Sequence, residues 1–570
     1  MVAKNNKRGG PKLVRYQGRL ELTWTNKHLR LLAHEDGSYE WVSPADYRVA
    51  EARLLHDTAT VGQVQEARAK DNLLIRGDAL NALRSLAALP EFAQEYVGQV
   101  KLAYLDPPFN TQQSFLHYDD ALEHSVWLTM IRDRLLQIRD LLAPDGSVWV
   151  HLDDSEAHRA RVVMDEVFGT NNFVAAIIWR SSDNSNNDAK QFSSDHNTIL
   201  VYASSETWIS NRQSPSPEQV PHFSNPDNDP KGSWFDGNPL NSPNPRKNLM
   251  YCITSPTGFK VPPPPNGWRW APDTLAEKIK SGEIRFTADG RNIRRRTYLR
   301  DHAGLPASSL WTDLLETGHN RQAKAELKRL FPGVPTSELF ATPKPERLIA
   351  KILRVASQPG DIVLDCFLGS GTTAAVAHKM GRRWVGIEAL ADTLDTYARP
   401  RLMKVVEGRE LGGITNLVGW KGGGGFRVLE VARSMFEVDR GVVFLAEWVT
   451  NGVLAEATAA QLAYDYTPEP PFCGRKGRTR LAVIDGLVSE AVVRLVVGAL
   501  GEGERVVVCG TAIDPAARDV VRELRPGSTI RKIPQSILHE YRQVMTKRQL
   551  PLFDTRALSL GTAVTEVVGA

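Results

Sequence analysis

Cysteine is scarce in this 570-residue chain: Cys252, Cys366, Cys473 and Cys509 stand far apart and form no Cys-x-x-Cys pair. That excludes a disulfide scaffold or a zinc site built on paired thiolates, and fits a reducing compartment. Long apolar runs are missing as well, none approaching the roughly 20 residues that cross a bilayer. The basic opening segment MVAKNNKRGGPK lacks the apolar core of a signal peptide and reads as a short disordered tail, so a cytoplasmic location is expected. An excess of one charge is also lacking: the net charge is only +4, so a nucleic-acid surface would have to come from local clusters. His151, His158 and His196 show no metal-ligand spacing, and Asp153, Asp154 and Glu156 read as a strand end and a helix cap. No metal is expected.

What remains is a globular composition, 42% hydrophobic and 24% charged, in a chain too long for one ordinary core. Apolar runs at 73–77, 101–105, 147–154 and 198–203 alternate with helical spacing, first through Leu80, Leu83 and Leu86 and again over 124–142. Strands alternating with helices predict a largely parallel α/β sheet. From about 204 to 300 the chain turns rich in Pro, Asn, Ser and Trp, too long for a plain loop, and reads as an inserted module. Regular α/β signals return over 343–412. WKGGGGF at 420–426 then reads as a flexible linker, with a separate small α/β domain beyond it. Residues 1–60 are expected to form an extension, β-rich or mixed, packing on the catalytic domain.

Two segments carry chemistry. DCFLGSGTT (365–373) places two glycines at a strand-to-helix junction, where the backbone can approach a ligand closely. Glu388, ending the next strand, is placed to accept from both hydroxyls of a ribose. A GxGxxG fingerprint is absent, which disfavours a dinucleotide and favours a nucleoside cofactor without phosphates, such as S-adenosylmethionine. Asp106-Pro107-Pro108-Phe109 follows another strand. Its prolines stiffen the loop and remove donors. A carboxylate and a carbonyl there would accept both hydrogens of an exocyclic amine while Phe109 stacks on the base.

DPPF together with FLGSGTT resembles the amino-methylating DNA methyltransferases, whose catalytic motif is (D/N/S)PP(Y/F/W). GDAL (77–80), LWTDL (310–314), FATPKPERLI (340–349) and VLDCF (363–367) resemble the same family, so the likeness covers most of 70–400. The catalytic loop precedes the glycine loop, which resembles the beta group, a circular permutation found in type III modification subunits and many solitary enzymes. The resemblance implies an α/β, Rossmann-like S-adenosylmethionine-dependent methyltransferase fold, circularly permuted. It implies a catalytic domain over 61–203 and 301–412 and a target-recognition insert over 204–300; the linker read from the glycines then covers 413–426, and the C-terminal α/β domain, for partner docking or dimerisation, covers 427–570.

By the same resemblance the catalytic residues are Asp106, Pro107, Pro108 and Phe109. Cofactor contacts fall on Asp78, Asp106, Thr342, Lys344, Pro345, Asp365, Phe367, Gly369, Ser370, Gly371, Thr372, Thr373 and Glu388. Asp78 would accept from the cofactor's adenine amino group, and Thr342 to Pro345 would pack on its methionine end. In the insert, Arg291, Arg294, Arg295, Arg296 and Arg300 would neutralise phosphates, while Arg246, Trp268, Arg269 and Trp270 would stack or reach base edges. The Asn/Ser-rich stretch 181–198 reads as a loop closing around a flipped base, or as an ordinary exposed loop. Asp106 favours adenine N6, since cytosine-N4 enzymes usually carry Ser there. The alternatives are cytosine N4, an RNA or protein amide or amine substrate, and a specificity or scaffold subunit working with a restriction helicase. Expected partners are double-stranded DNA, a second copy, and such a helicase.

Overall fold

The structure, a computed structural model, describes residues 20–33, 39–44, 46, 52–110, 113–115, 118–120, 123–215, 220–237, 240–301, 303–433, 436–439, 442–445, 451–469, 471–488 and 490–533. The basic N-terminal segment, read from sequence as a tail, lies outside them. Among the described residues no helix is long and apolar enough to cross a membrane.

Six strands run parallel in the order Leu142–Leu152, Val100–Leu105, Ile362–Asp365, Arg383–Glu388, Asn72–Arg76, Gly425–Val431. Val100–Leu105, Ile362–Asp365 and Arg383–Glu388 are almost wholly buried along their length. A parallel strand covered on both faces has no solvent side, which explains the continuous apolar runs in place of alternation. His196–Ala203 pairs antiparallel with Leu142–Leu152 and with Phe173–Arg180, and Leu310–Trp311 adds to the far edge. Leu55–Gly62 closes the other edge, antiparallel to Gly425–Val431, giving ten strands.

Val100–Leu105 and Ile362–Asp365 are neighbours, yet the chain leaves them in opposite directions. After Leu105 the next strand of this sheet lies on one side, and after Asp365 it lies on the other. Divergent connections leave a crevice at the carboxyl ends of two such strands, where open α/β sheets bind ligands.

The glycine-rich segment is not a linker, contrary to the reading of 413–426. Thr415–Val418 is a helical turn, Ile414 is fully buried, and Trp420 donates its indole N–H to the Val405 carbonyl at 2.8 Å. A Cβ on Gly425 would stand 2.3 Å from the Gln63 carbonyl oxygen, and one on Gly62 would stand 2.3 Å from that of Gly424. Two backbones approach here more closely than any side chain permits, and that need explains the glycines.

The region beyond is also less separate than its sequence suggests. Gly425–Val431 belongs to the main sheet, and Leu454, Ala457 and Ala460 of helix Asn451–Gln461 join the main core. A five-stranded sheet over 465–532 keeps an apolar core of its own that includes Val493, Val506, Val508 and Val521.

Residues 210–307 form a second compact unit. It holds a three-stranded antiparallel sheet, helix Pro272–Lys280, and a core of Val261, Trp268, Leu275, Ile284 and Ile293. Its bounds differ from the expected 204–300 for a local reason. The Ser204 N–H donates to the Gly146 carbonyl, which keeps that residue with the main sheet, and the return segment pairs Leu305 with Gln213.

Candidate active site

A cavity of about 420 Å³ opens in the crevice. Asp78, Asp106, Pro107, Pro108, Phe109, Thr342, Lys344, Phe367 and Glu388 all line it, so segments far apart in sequence meet there. Asp365, Ser370, Thr372 and Thr373 line a small adjoining cleft that shares Asp106, Thr342, Lys344 and Phe367. Pro345, Gly369 and Gly371 line neither. Pro345 caps helix Glu346–Ala356. Gly371, at φ +80, caps helix Thr372–Lys379, and a Cβ there would meet the Ala398 backbone at 3.1 Å. These glycines let the loop pack on protein.

Asp106 ends its strand in a stiff loop whose Pro108 carbonyl accepts the Trp127 indole N–H at 2.7 Å. Its Oδ2 accepts from the Lys344 ammonium at 2.7 Å, while Oδ1 is buried and has no hydrogen-bond partner among the described residues. Burial holds the carboxyl above the ordinary range, and Lys344 opposes that shift. The next residue after the motif, Asn110, sits at φ +60 and donates to the fully buried Glu156 at 2.8 Å. Asn tolerates this left-handed backbone better than most residues, so the side chain both permits the turn and ties it down. Phe109 stacks on His151 with centroids 5.8 Å apart. Burial pushes the His151 pKa well below its usual value, so the imidazole is neutral.

Glu388 accepts the Gly369 N–H at 2.8 Å on one oxygen and the Leu390 N–H at 3.0 Å on the other. Burial outweighs these bonds and pushes its pKa up to about 7. Asp365, buried near Asp106 and Glu388, is likewise pushed up to about 7 by burial. Asp78 caps helix Ala79–Ala88 through the Leu80 N–H at 2.8 Å, and its second oxygen takes Arg134 at 2.7 Å. Arg134 is buried in the cavity wall, and sequence reasoning passed over it because it sits in an apolar-spaced helix. Behind the site, Glu346, Lys379, Arg401 and Glu410 form a buried ion network with contacts of 2.6–3.2 Å. The sequence shows these only as dispersed charges.

The insert places the arginines and tryptophans expected to touch DNA in different surroundings. Trp268 is a core residue whose indole N–H meets the Tyr251 carbonyl at 2.7 Å, so it is not a surface stacker. Arg296 pairs with Asp227 and Asp229, and the partly exposed Arg295 pairs with Glu283 at 3.0 Å. Arg246, Arg269, Arg291, Arg294 and Arg300 are exposed. Trp270 is half-buried, with Lys278 and Arg295 5.3 Å and 5.4 Å from its ring centre. The 181–195 segment is exposed over most of its length and carries Phe192 at 95% exposure.

The sheet thus brings the Asp106 loop and the segment after Asp365 to the carboxyl ends of neighbouring strands, at a crevice of the kind in which open α/β sheets bind ligands. The chain belongs to the N6/N4 DNA methylase family, whose profile matches residues 100–399, more than half its length. It is 28% identical over 415 residues to the probable type III restriction-modification enzyme HindVI Mod subunit of Haemophilus influenzae, covering 64% of this chain and 54% of that one. It is 30% identical over 301 residues to the type II methyltransferase M.EcaI of Enterobacter cloacae, covering 51% of this chain and 62% of that one. The chain thus spans little more than half the length of these relatives. Among solved structures it is similar to the PvuII DNA methyltransferase (cytosine-N4-specific), at 15% identity and a TM-score of 0.33, covering 60% of this chain and 89% of that one.

Proposed function

We propose that this chain is a site-specific DNA methyltransferase that moves a methyl group from S-adenosylmethionine to the N6 amino group of adenine, within a restriction-modification system. The observation that carries this reading is Asp106 Oδ1: a buried acceptor with no partner among the described residues, beside an aromatic side chain, in the wall of a ligand-sized cavity. A buried acceptor left unmade costs stability, and an incoming donor satisfies it.

The surrounding residues fit the cofactor. Glu388, held by backbone N–H groups of Gly369, Ala389 and Leu390, keeps acceptor capacity for a ribose hydroxyl, and Phe367 and Leu390 supply apolar walls. The glycine loop packs on Phe340 and Ala398, and so forms no cradle for a pyrophosphate. When bound, S-adenosylmethionine supplies an electrophilic methyl sulfonium. Asp78, already tied to Arg134, is the acceptor nearest in kind to an adenine amino group.

The chain's own residues then act on the base. Asp106 Oδ1 accepts one N–H of the target amine. Because Trp127 engages the Pro108 carbonyl, the second N–H goes to that of Pro107. Holding both hydrogens draws the nitrogen lone pair out of conjugation and aims it, so catalysis is chiefly orientation and electrostatics. Phe109, braced by His151, gives the flipped base an aromatic wall.

The chain order, with the strand before Asp106 preceding the strand before the glycine loop, is read as a circular permutation. The 210–307 unit is assigned to target recognition, and the region beyond 431 to a partner or a second copy, in a cytoplasmic enzyme. Methyl transfer from labelled cofactor to genomic DNA, followed by nucleoside analysis, tests the whole reading. N6-methyladenine supports it, N4-methylcytosine moves the target base, and no labelled base overturns it.

A further inference from the structure

The geometry points to Lys344 as a positioning residue that acts through Asp106: its ammonium holds Oδ2 and leaves Oδ1 as the carboxylate's one open acceptor for the amine. This rests on the reading of the Asp106 loop as an amine-methylating site, and it takes Lys344 away from the cofactor.

Lys344 is 7% exposed, and its ammonium lies 2.7 Å from Asp106 Oδ2 across 238 residues of sequence. The same nitrogen stands 4.9 Å from the Phe109 ring centre, so one cation holds both the carboxylate and the aromatic side chain of the motif. Its own backbone is fixed from behind. Two residues on, Glu346 is fully buried, bonded through its carboxylate to Lys379, Arg401 and the Ile414 N–H, and through its N–H to Glu326. The loop cannot slide without breaking that network.

The charges around Asp106 explain why a cation is needed. Asp365, on the neighbouring strand, repels its ionised form, with Glu388 beyond. Tyr104, on its own strand, is buried, and burial and the nearby carboxylates raise its pKa, so it stays neutral. His151 is neutral too. Arg134, the other cation of the cavity wall, is paired with Asp78. Lys344 is therefore the cation that faces Asp106 among the described residues. Burial favours protonated Asp106, and Lys344 favours the ionised form. A protonated carboxyl would spend one lone-pair position on its own hydrogen and lose its charge, weakening its hold on an N–H donor.

The test measures single-turnover methylation of DNA by the full chain across pH 6–9.5, with calorimetric titration of S-adenosylmethionine, for wild type, Lys344→Met, Lys344→Gln and Lys344→Arg. With the charge removed, the acid limb of the rate moves up by at least about one pH unit, a tenfold change in proton concentration. The rate recovers toward pH 9, cofactor affinity stays within about threefold, and arginine restores the wild-type limb. Lys344→Gln keeps the test open should the methionine variant fail to fold. A rate lowered equally at every pH, or cofactor affinity lowered more than about tenfold with the limb unmoved, overturns the inference. A wild-type chain that methylates no DNA base overturns the underlying reading instead.

Discussion

The amide of Gly369 donates to Glu388 Oε2 at 2.8 Å, so the glycine loop and the carboxylate ending the neighbouring strand form one piece. The other Glu388 oxygen accepts from Leu390, and the Ala389 backbone adds a further bond to the same carboxylate. Burial sets its pKa at about 7. Below that pH the added proton takes up acceptor capacity that the ionised carboxylate above it offers to a ribose hydroxyl. Affinity for S-adenosylmethionine should therefore rise with pH, by about tenfold between pH 6 and 8 as the ionised fraction grows. Calorimetry at intervals across that range checks it, and Glu388→Gln should flatten the dependence and weaken binding throughout.

Gly425 tests whether the glycine run is packed or loose. The nearest atoms to a Cβ there are the backbone carbonyl oxygens of Gln63 and Val61, at 2.3 Å and 2.5 Å, and neither can move without parting the edge of the main sheet. Gly425→Ala should cost about 2 kcal/mol or more, at the upper end of typical single substitutions. Thermal or urea unfolding measures it. A linker glycine would tolerate alanine without change.

In the 210–307 unit, two arginines two residues apart in one strand should behave differently. Arg294 is exposed, whereas Arg296 is paired with Asp227 and Asp229. Arg294→Ala should weaken DNA binding alike on all sequences and lower the salt slope by about 1, as loss of one phosphate contact does. Arg296→Ala should instead lower the stability of the unit by leaving two acids without their partner. Binding titrations at several salt concentrations, beside unfolding curves, separate the two effects.

The sheet was readable because parallel strands buried on both faces are written as short continuous apolar runs. Arg383–Glu388 coincides with the run RWVGIE, and Val100–Leu105 with KLAYL. The site was readable where covalent geometry restricts the residue, as at Pro107 and Pro108. It was not readable where the partner is distant in sequence. Nothing near Lys344 announces Asp106, nothing near Arg134 announces Asp78, and the Glu346–Lys379–Arg401–Glu410 network looks like ordinary surface charge until the fold buries it. The glycines at 422–425 misled because the same absence of a side chain serves a loose linker and a tight backbone contact. Trp268 misled because an aromatic among basic residues suits a stacking surface and a small core equally well.

Asp106→Ala gives the most direct test of the central claim, that the Asp106 loop performs methylation of a base amine. The measurement is the single-turnover rate of methyl transfer to DNA with the variant saturated in cofactor, beside its cofactor affinity. The predicted result is a rate lowered by at least about 100-fold, on the scale of losing one preorganised transition-state contact, with affinity little changed. Methylation retained within tenfold of wild type would contradict it, since a carboxylate that can be deleted at so small a cost does not hold the reacting amine.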